Sequence, residues 1–534
     1  MPSDPRRAYL FEAKGIQRWI LDGGRLRDIA AASHILASAC NSSGNDLLRT
    51  ALDATGFDPC VSRRAGGAFM LHFPDDPTTL DRFGQFRALW HLIFRQVAPG
   101  LEFMESQGLG PDDPAAIAAA YDPVHQVRDH AGRENAAATL PPFGHPLVAF
   151  APRTGRPATE PGTDRMTAAK KRHAGIEDAV GEKFLGTNAG YFWPVSMDDD
   201  DDRVQDHKRF PFQHGREPWI AIMHADISAL GVFYDQVRRT GIDAIESARA
   251  ASEAIEAVTI EAAQVATERI LIPKAKFLRG IMPARPILLG GDDITIVLRG
   301  DVALPFARVF LQMLEQVSKT KLTAFARQHL NGPSDAMGPL TAAAGLAFGK
   351  PKQPFFRLLD LAEGLCSHAK KAVKAVAAGS TPASAISFLR ITESALAADA
   401  DDMFDRLLLA DGRRLTAQPY LAGEVPAASL IHLDLLNKLR SAMVPDLRTG
   451  RLREIRGLFQ QGRNELADES WERWTDLAAK SQDAPYRTFA DALAACNGSK
   501  DSALFGANRR TPLFDAMEWN AIYNDWDSGT EDTA

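Results

Sequence analysis

Cysteine is scarce and scattered in this 534-residue chain: Cys40, Cys60, Cys366 and Cys496 form no CxxC pair, which excludes both a disulfide framework and a zinc ribbon. Long apolar runs are missing too. No stretch approaches the ~18 residues of a membrane span, so no membrane partner is expected. The opening Met1-Pro-Ser-Asp-Pro-Arg-Arg has none of the apolar character of a secretory signal, and the expected location is the cytoplasm. An excess of positive charge is also lacking. The formal net charge is −7, whereas a chain that wraps nucleic acid by itself needs a basic face, so other subunits are expected to carry most of any nucleic-acid contact. There is no His-Asp dipeptide, no GxSxG and no HExxH. Gly345-Leu-Ala-Phe-Gly349-Lys350-Pro351 fails as a P-loop, with three residues between its glycines instead of four and proline where Ser or Thr must meet magnesium.

What is present is globular: 45% hydrophobic and 24% charged residues, at a length that predicts several domains. The most informative stretch is Arg285-Pro-Ile-Leu-Leu-Gly290-Gly291-Asp292-Asp293-Ile-Thr-Ile-Val-Leu298. Two strand-like runs flank a glycine pair that can take the positive φ of a tight turn, which predicts a β-hairpin with its acids at the tip. Adjacent aspartates repel unless a cation lies between them, so the hairpin reads as a divalent-metal site.

One pattern occurs twice. In the second copy, Trp219-Ile-Ala-Ile-Met-His-Ala-Asp226 predicts a strand ending in an acid. A helical region to about residue 270, the hairpin, a helix at about 302–330, a strand at 340–348, a helix at about 354–378 and a strand at 385–389 follow. In the first copy, Ala8-Tyr-Leu-Phe-Glu12, helical Arg25 to Ala39 and the Gly66-Gly67 hairpin come in the same order. Glu12 to Gly66 is 54 positions and Asp226 to Gly290 is 64. Each copy reads βααββαβ, predicting an α+β fold of two ferredoxin-like palm domains, the nucleotidyl-cyclase or GGDEF-like arrangement. Matching the glycine pairs sets Ala68 and Phe69 against Asp292 and Asp293. The expected division is a degenerate palm at 6–155, a linker or small insert at 156–217, a catalytic palm at 218–395 and a helical C-terminal domain at 396–534. In the insert, Lys170-Lys171-Arg172-His173 reads as a surface stretch and Asp198 to Asp202 as a solvated loop.

Palm-type nucleotidyl transfer needs carboxylates on neighbouring strands to hold two metal ions. Asp226, Asp292 and Asp293 are the candidate catalytic acids and metal ligands, with the backbone carbonyl of Ile227 as a further oxygen. Ser228 and Gly231 open a helix whose free N–H groups can receive phosphate, and Gly290 and Gly291 shape the turn. Lys370, Lys371 and Lys374 share one predicted helix, from which a lysine can reach a phosphate.

In these residues the chain resembles the large, palm-bearing subunits of type III CRISPR effector complexes and related palm-domain nucleotidyl cyclases. The resemblance is carried by Tyr9-Leu-Phe-Glu-Ala-Lys-Gly15-Ile16-Gln17 with Arg25 to Ser33, by His224-Ala-Asp226-Ile-Ser-Ala-Leu-Gly231, by the GGDD hairpin, and by Ala344-Gly345-Leu-Ala-Phe with Ala362-Glu363 and Ala369-Lys370-Lys371. It spans roughly residues 6 to 390. It implies two ions of Mg²⁺ or Mn²⁺ on Asp226, Asp292 and Asp293, and Lys370 as the phosphate contact. The implied activity converts ATP, or another nucleoside triphosphate, to a cyclic oligonucleotide such as cyclic oligoadenylate, a second messenger in antiviral defence. Implied partners are effector subunits, guide or target RNA and a second copy of the chain. The HD nuclease and the zinc cysteines of many relatives are absent, which fits either a reduced effector subunit or a stand-alone cyclase. The alternative is a catalytically silent, nucleotide-binding scaffold of an RNA-guided complex, against which the acids of the second copy speak.

Overall fold

The computed structural model describes residues 5–22, 25–40, 46–65, 67–128, 149–173, 178–197, 208–212, 218–291, 293–332, 337–377, 381–391, 400–427, 429–443, 449–480, 484–499 and 503–527. The architecture is mixed α+β. The first copy of the repeat runs β1 (Arg6–Lys14), α1 (Ile16–Leu21), α2 (Leu26–Cys40), α3 (Leu47–Thr55), β2 (Cys60–Ala65), β3 (Ala68–Pro74), α4 (Pro77–Val97), β4 (Glu102–Gly110) and α5 (Asp113–Arg128). A small hairpin, β5 (Ala158–Glu160) and β6 (Thr163–Asp164), then leads through α6 (Arg165–His173) and α7 (Ala179–Leu185) to the second copy. That copy comprises β7 (Ile220–Ile227), α8 (Leu230–Thr240), α9 (Ala244–Ala266), a π-helical turn at Thr267–Leu271, α10 (Ile272–Phe277), β8 (Ala284–Gly290) and β9 (Asp293–Arg299), then α11 (Gly300–His329), β10 (Ala342–Gly349), α12 (Phe355–Ala377) and β11 (Ala385–Arg390). After it come α13 (Ala400–Asp405), β12 (Tyr420–Leu421), α14 (Leu433–Ser441), α15 (Thr449–Gln460), α16 (Asn464–Lys480), α17 (Ala484–Asn497) and α18 (Leu513–Asp527).

The two large sheets repeat one strand order. The first is β2-β3-β1-β4 and the second β12-β11-β10-β7-β9-β8, so that, read from its other edge, β8-β9-β7-β10 matches the first sheet strand for strand. Each copy also lays a helix directly on a glycine of its fourth strand. A Cβ on Gly108 would stand 2.0 Å from the Ala116 carbonyl oxygen of α5, and one on Gly345 would stand 2.0 Å from the Ala362 carbonyl oxygen of α12.

β8 and β10 are buried at every position, and β9 at every position but its first, as strands must be when both faces are covered. On β7, Ala221, Met223, Ala225 and Ile227 enter a core with Ile255 of α9 and Phe310 of α11. Ile220 and Ile222 enter another, shared with Trp19 and Phe69 of the first copy and Leu358 and Leu365 of α12. The period of two therefore assigns His224 and Asp226, and likewise Thr295 and Asp293 beside Val297, to the face turned toward the first copy and α12. Ser33 Oγ of α2 hydrogen-bonds the Ile287 carbonyl of β8 across this junction.

In the Lys170–His173 stretch, Lys171 and Arg172 are exposed as the sequence predicts, and Lys170 is not. Lys170 is 1% exposed, and its Nζ donates to the carbonyls of Trp19, Ile20 and Asp22 at the end of α1. A cation there satisfies carbonyls that the helix end leaves orphaned, although burial pulls the ammonium down to about 8. Asp198 to Asp202 lie outside the described residues. At the C-terminal end, α18 is fastened by Asp515, whose carboxylate accepts from Thr416, Ala417, Gln418 and Tyr420. Glu518 of the same helix pairs with Arg390 of β11 and Arg456 of α15. Among the described residues no helix is long and apolar enough to cross a membrane.

Candidate active site

The acids of the second copy meet because of strand register. β7 lies between β9 and β10 at the centre of the sheet, and Asp226 is paired directly with Asp293 on one side and with Ala343 on the other. Asp293 is paired in turn with Gly290 across the β8–β9 turn. Gly291 has φ +59° with open space where a side chain would stand, the conformation for which glycine is suited. Thr259 Oγ1 of α9 donates to the Gly291 carbonyl at 3.2 Å, fixing the hairpin to the helix beneath it. Asp292 lies outside the described residues, between two residues that frame the site.

Of the three lysines on α12, Lys370 is the one paired with Asp226. Its Nζ is 2.6 Å from Asp226 Oδ2, with the two side chains 37% and 31% exposed. Lys371 is turned to Asp401 at 3.5 Å, and Lys374 is exposed. The Cys366 thiol of α12 lies in the field of Asp226, Lys370 and Asp293. Burial pushes that thiol up to about 12, Asp226 and Asp293 add to the push, and Lys370 opposes it. Cys366 donates to the Ala343 carbonyl at 3.2 Å and is no nucleophile in this state.

After Asp226 the chain turns sharply into α8. Ala229 sits at φ 62°, ψ 19° and caps the helix with no side-chain bond. An alanine in the left-handed region is strained by roughly 1–2 kcal/mol, and such strain concentrates where a backbone must be held in one shape. Ser228 is 4% exposed. Its backbone N–H donates to the Thr341 carbonyl at 2.7 Å, while its buried Oγ has no hydrogen-bond partner among the described residues. At Gly231 a Cβ would meet nothing within 4 Å among the described residues, and an open surface groove of about 500 Å³ runs from it along α8, lined by Gly231, Val232, Asp235, Gln236, Arg239 and Thr240. One row below the acids, His224 Nδ1 lies 3.3 Å from Thr295 Oγ1 and 3.4 Å from Gln17 Nε2 of α1, a polar contact between the copies that no spacing in the sequence signals.

The first copy holds a reduced version of the same arrangement. Glu12 is three residues before Gly15, the left-handed cap of α1 at φ 62°, just as Asp226 is three before Ala229. Glu12 is paired with Ala68, as Asp226 is with Asp293. Ala68 therefore stands at the place of Asp293 and Gly67 at that of Asp292, which shifts by one residue the alignment obtained by matching glycine pairs. The reason is that the turn closes between Ala65 and Ala68 in one copy and between Gly290 and Asp293 in the other. Lys14 pairs with Glu12 on the same strand. Nearby, against the pull of burial, Tyr121, Tyr234 of α8 and Glu12 hold the Arg63 guanidinium above its ordinary range.

No family model and no curated protein matches the chain. Solved structures do. The chain is similar to Csm1-Csm4 cassettes. Against the cassette in complex with cA3 the identity is 13% and the TM-score 0.49, covering 92% of this chain and 69% of that one. Against the apo cassette the identity is 15% and the TM-score 0.48, covering 96% and 70%. Against the Csm1-Csm4 subcomplex of the type III-A CRISPR-Csm interference complex the values are 14% and 0.44, covering 92% and 70%. At such identities and TM-scores, function has to be argued from the chain's own residues.

Proposed function

We propose that the two copies are palm domains and that the second is a metal-dependent nucleotidyltransferase, joining nucleoside triphosphates into a cyclic oligonucleotide. The observation that carries this reading is the direct cross-strand pairing of Asp226 with Asp293, with Lys370 on the first of them. Like charges directly opposite on adjacent strands destabilise a sheet, and the first copy builds the same hairpin with Ala68 in that place. A purely structural palm has no use for the second acid.

The donor set suits a hard divalent cation. Asp226 and Asp293 offer carboxylate oxygens on neighbouring strands, Asp226 already holds one cation, the Lys370 ammonium, and Asp292 and the Ile227 carbonyl would be the further oxygen ligands. Two ions of Mg²⁺ or Mn²⁺ bound there would favour ionisation of a ribose hydroxyl and neutralise charge on the triphosphate. The protein's own part is positioning. The first N–H groups of α8, just after Ser228, are where phosphate oxygens are stabilised, and Gly231 leaves room for close approach. Lys370 adds a point charge for a phosphate oxygen. A ribose hydroxyl of one nucleotide then attacks the α-phosphorus of another, a new P–O bond forms, and the bond to pyrophosphate breaks.

The first copy, with a single acid paired to Lys14, is a non-catalytic nucleotide-binding or structural partner in this scheme. Adenine as the base and a role in CRISPR-type antiviral defence, with effector subunits and guide or target RNA as partners, come from the family resemblance. The test is incubation of the purified protein with labelled ATP or GTP and Mn²⁺, followed by product analysis. A cyclic product from the wild type and none from Asp292→Asn/Asp293→Asn is the expected result. Absence of product from the wild type, with partner subunits and RNA added, would leave the scaffold reading in its place.

A further inference from the structure

The ion pair on Asp226 has a use of its own, which rests on the reading that Asp226 and Asp293 hold divalent ions. We propose that Lys370 is an exchangeable counter-ion: it neutralises Asp226 in the nucleotide-free protein and transfers to a phosphate oxygen of the incoming triphosphate when Asp226 is required as a metal ligand.

The two copies differ in the feature that makes exchange workable. In the first, the lysine is Lys14, two residues from Glu12 on the same strand, and the pair is held at 22% and 16% exposure. The residue opposite Glu12 on β3 is Ala68, and Glu102 of β4 stands opposite Lys14. In the second copy the lysine comes from α12, on a long flexible stem that reaches over the sheet, and the pair is more open, at 37% and 31%. The opposing residue is Asp293. Charge pairing is preserved between the copies, but the lysine has moved from the strand to a neighbouring helix and an acid has been placed beside its partner. A water-exposed ion pair changes an equilibrium by only a factor of about 1.4 to 5, which is weak enough for a divalent ion to displace. Lysine's compact ammonium suits both partners, a carboxylate oxygen and a phosphate oxygen. The N-terminus of α8, with buried Ser228 Oγ, lies on the chain three residues beyond Asp226, so the destination is close to the origin.

Exchange predicts opposite effects on two ligands, which a merely structural lysine would not produce. Replacing Lys370 by methionine keeps the stem and removes the charge. In the full chain without nucleotide, Lys370→Met is expected to bind Mn²⁺ about three- to fivefold more tightly than the wild type, because the internal competitor is gone. With Mn²⁺ saturating, the same variant is expected to bind a non-hydrolysable ATP analogue about tenfold more weakly, having lost the phosphate contact. Free Mn²⁺ is read from its paramagnetic resonance signal and analogue binding from calorimetry, with thermal melts confirming that the variant is folded. Lys371→Met, which removes a cation turned to Asp401, changes neither affinity. Equal Mn²⁺ affinity in wild type and Lys370→Met, with Asp226→Asn abolishing it in both, overturns the exchange and leaves the metal site standing. Failure of the wild type to bind Mn²⁺ through Asp226 overturns both.

Discussion

Changing Asp293 to asparagine removes one of two like charges that the central sheet sets face to face. Directly opposed residues on antiparallel strands have Cβ atoms ~5 Å apart. Two unit charges at that separation repel by about 0.8 kcal/mol at the permittivity of water and about 3 kcal/mol at an effective value of 20. Asp226 is 31% exposed and has Lys370 Nζ at 2.6 Å, so the lower end applies. Asp293→Asn is therefore expected to stabilise the ion-free protein by ~1 kcal/mol, roughly 2 °C in Tm for a unit of this size. Divalent ion reverses the order. At a concentration one hundred times its Kd, an ion that binds only the native state adds ~2.7 kcal/mol, which the wild type gains and the variant largely loses. The assay is thermal unfolding in chelator and then across a Mn²⁺ titration, with the two curves of Tm expected to cross. A variant that melts below the wild type in chelator would show that the opposed carboxylates do not repel, and an equal rise of both with Mn²⁺ would show that Asp293 is no metal ligand.

Two further outcomes follow from groups that hold the fold around this site. Asp515 is 5% exposed, and burial pushes its carboxyl up to about 6 against the hydrogen bonds it accepts. The unfolded value is ~3.9, so the native state binds the proton more tightly. Its stabilising contribution is full below about pH 4 and is lost as pH rises through about 6, by roughly 3 kcal/mol at pH 8. The drop in Tm between pH 5 and pH 8 is expected to be smaller in Asp515→Asn than in the wild type; an identical drop would assign the dependence elsewhere. A Cβ on Gly345 would stand 2.0 Å from the Ala362 carbonyl oxygen and 2.4 Å from the Cys366 backbone nitrogen. Gly345→Ala must push α12 away from β10, at a cost of about 3 kcal/mol, and carries Lys370 away from Asp226. Weakened nucleotide binding together with a lowered Tm is the expected pair of results, and an unshifted Tm would contradict the packing argument.

Much of this site is legible because its signals are local. The Gly290-Gly291 turn, the alternation from Ile294 to Leu298 and the acid ending the strand at Asp226 each announce an element within a few residues, and the central strands read as apolar runs because two cores cover them. Register is harder to read. The glycine pair occupies different turn positions in the two hairpins, and only the pairing of Glu12 with Ala68 and of Asp226 with Asp293 reveals the one-residue shift. Contacts that join distant segments left no local mark at all. Lys170 looks like one residue of a charged surface run until the end of α1, about 150 residues earlier in the chain, is brought onto its ammonium. The contact from Gln17 to His224 and the choice of Lys370 over Lys371 depend in the same way on how the copies and α12 pack.

In this scheme nucleotidyl transfer belongs to the second sheet alone, and the sharpest comparison is parallel turnover of Asp226→Asn and Glu12→Gln. Both variants change the acid at the same place in its own copy, and both are assayed with labelled ATP and Mn²⁺ beside the wild type. Asp226→Asn is expected to yield no phosphodiester product, while Glu12→Gln keeps the wild-type product at a rate within about tenfold. Product from Asp226→Asn at the wild-type rate, or a loss in Glu12→Gln as deep as in Asp226→Asn, would contradict that assignment to the second sheet.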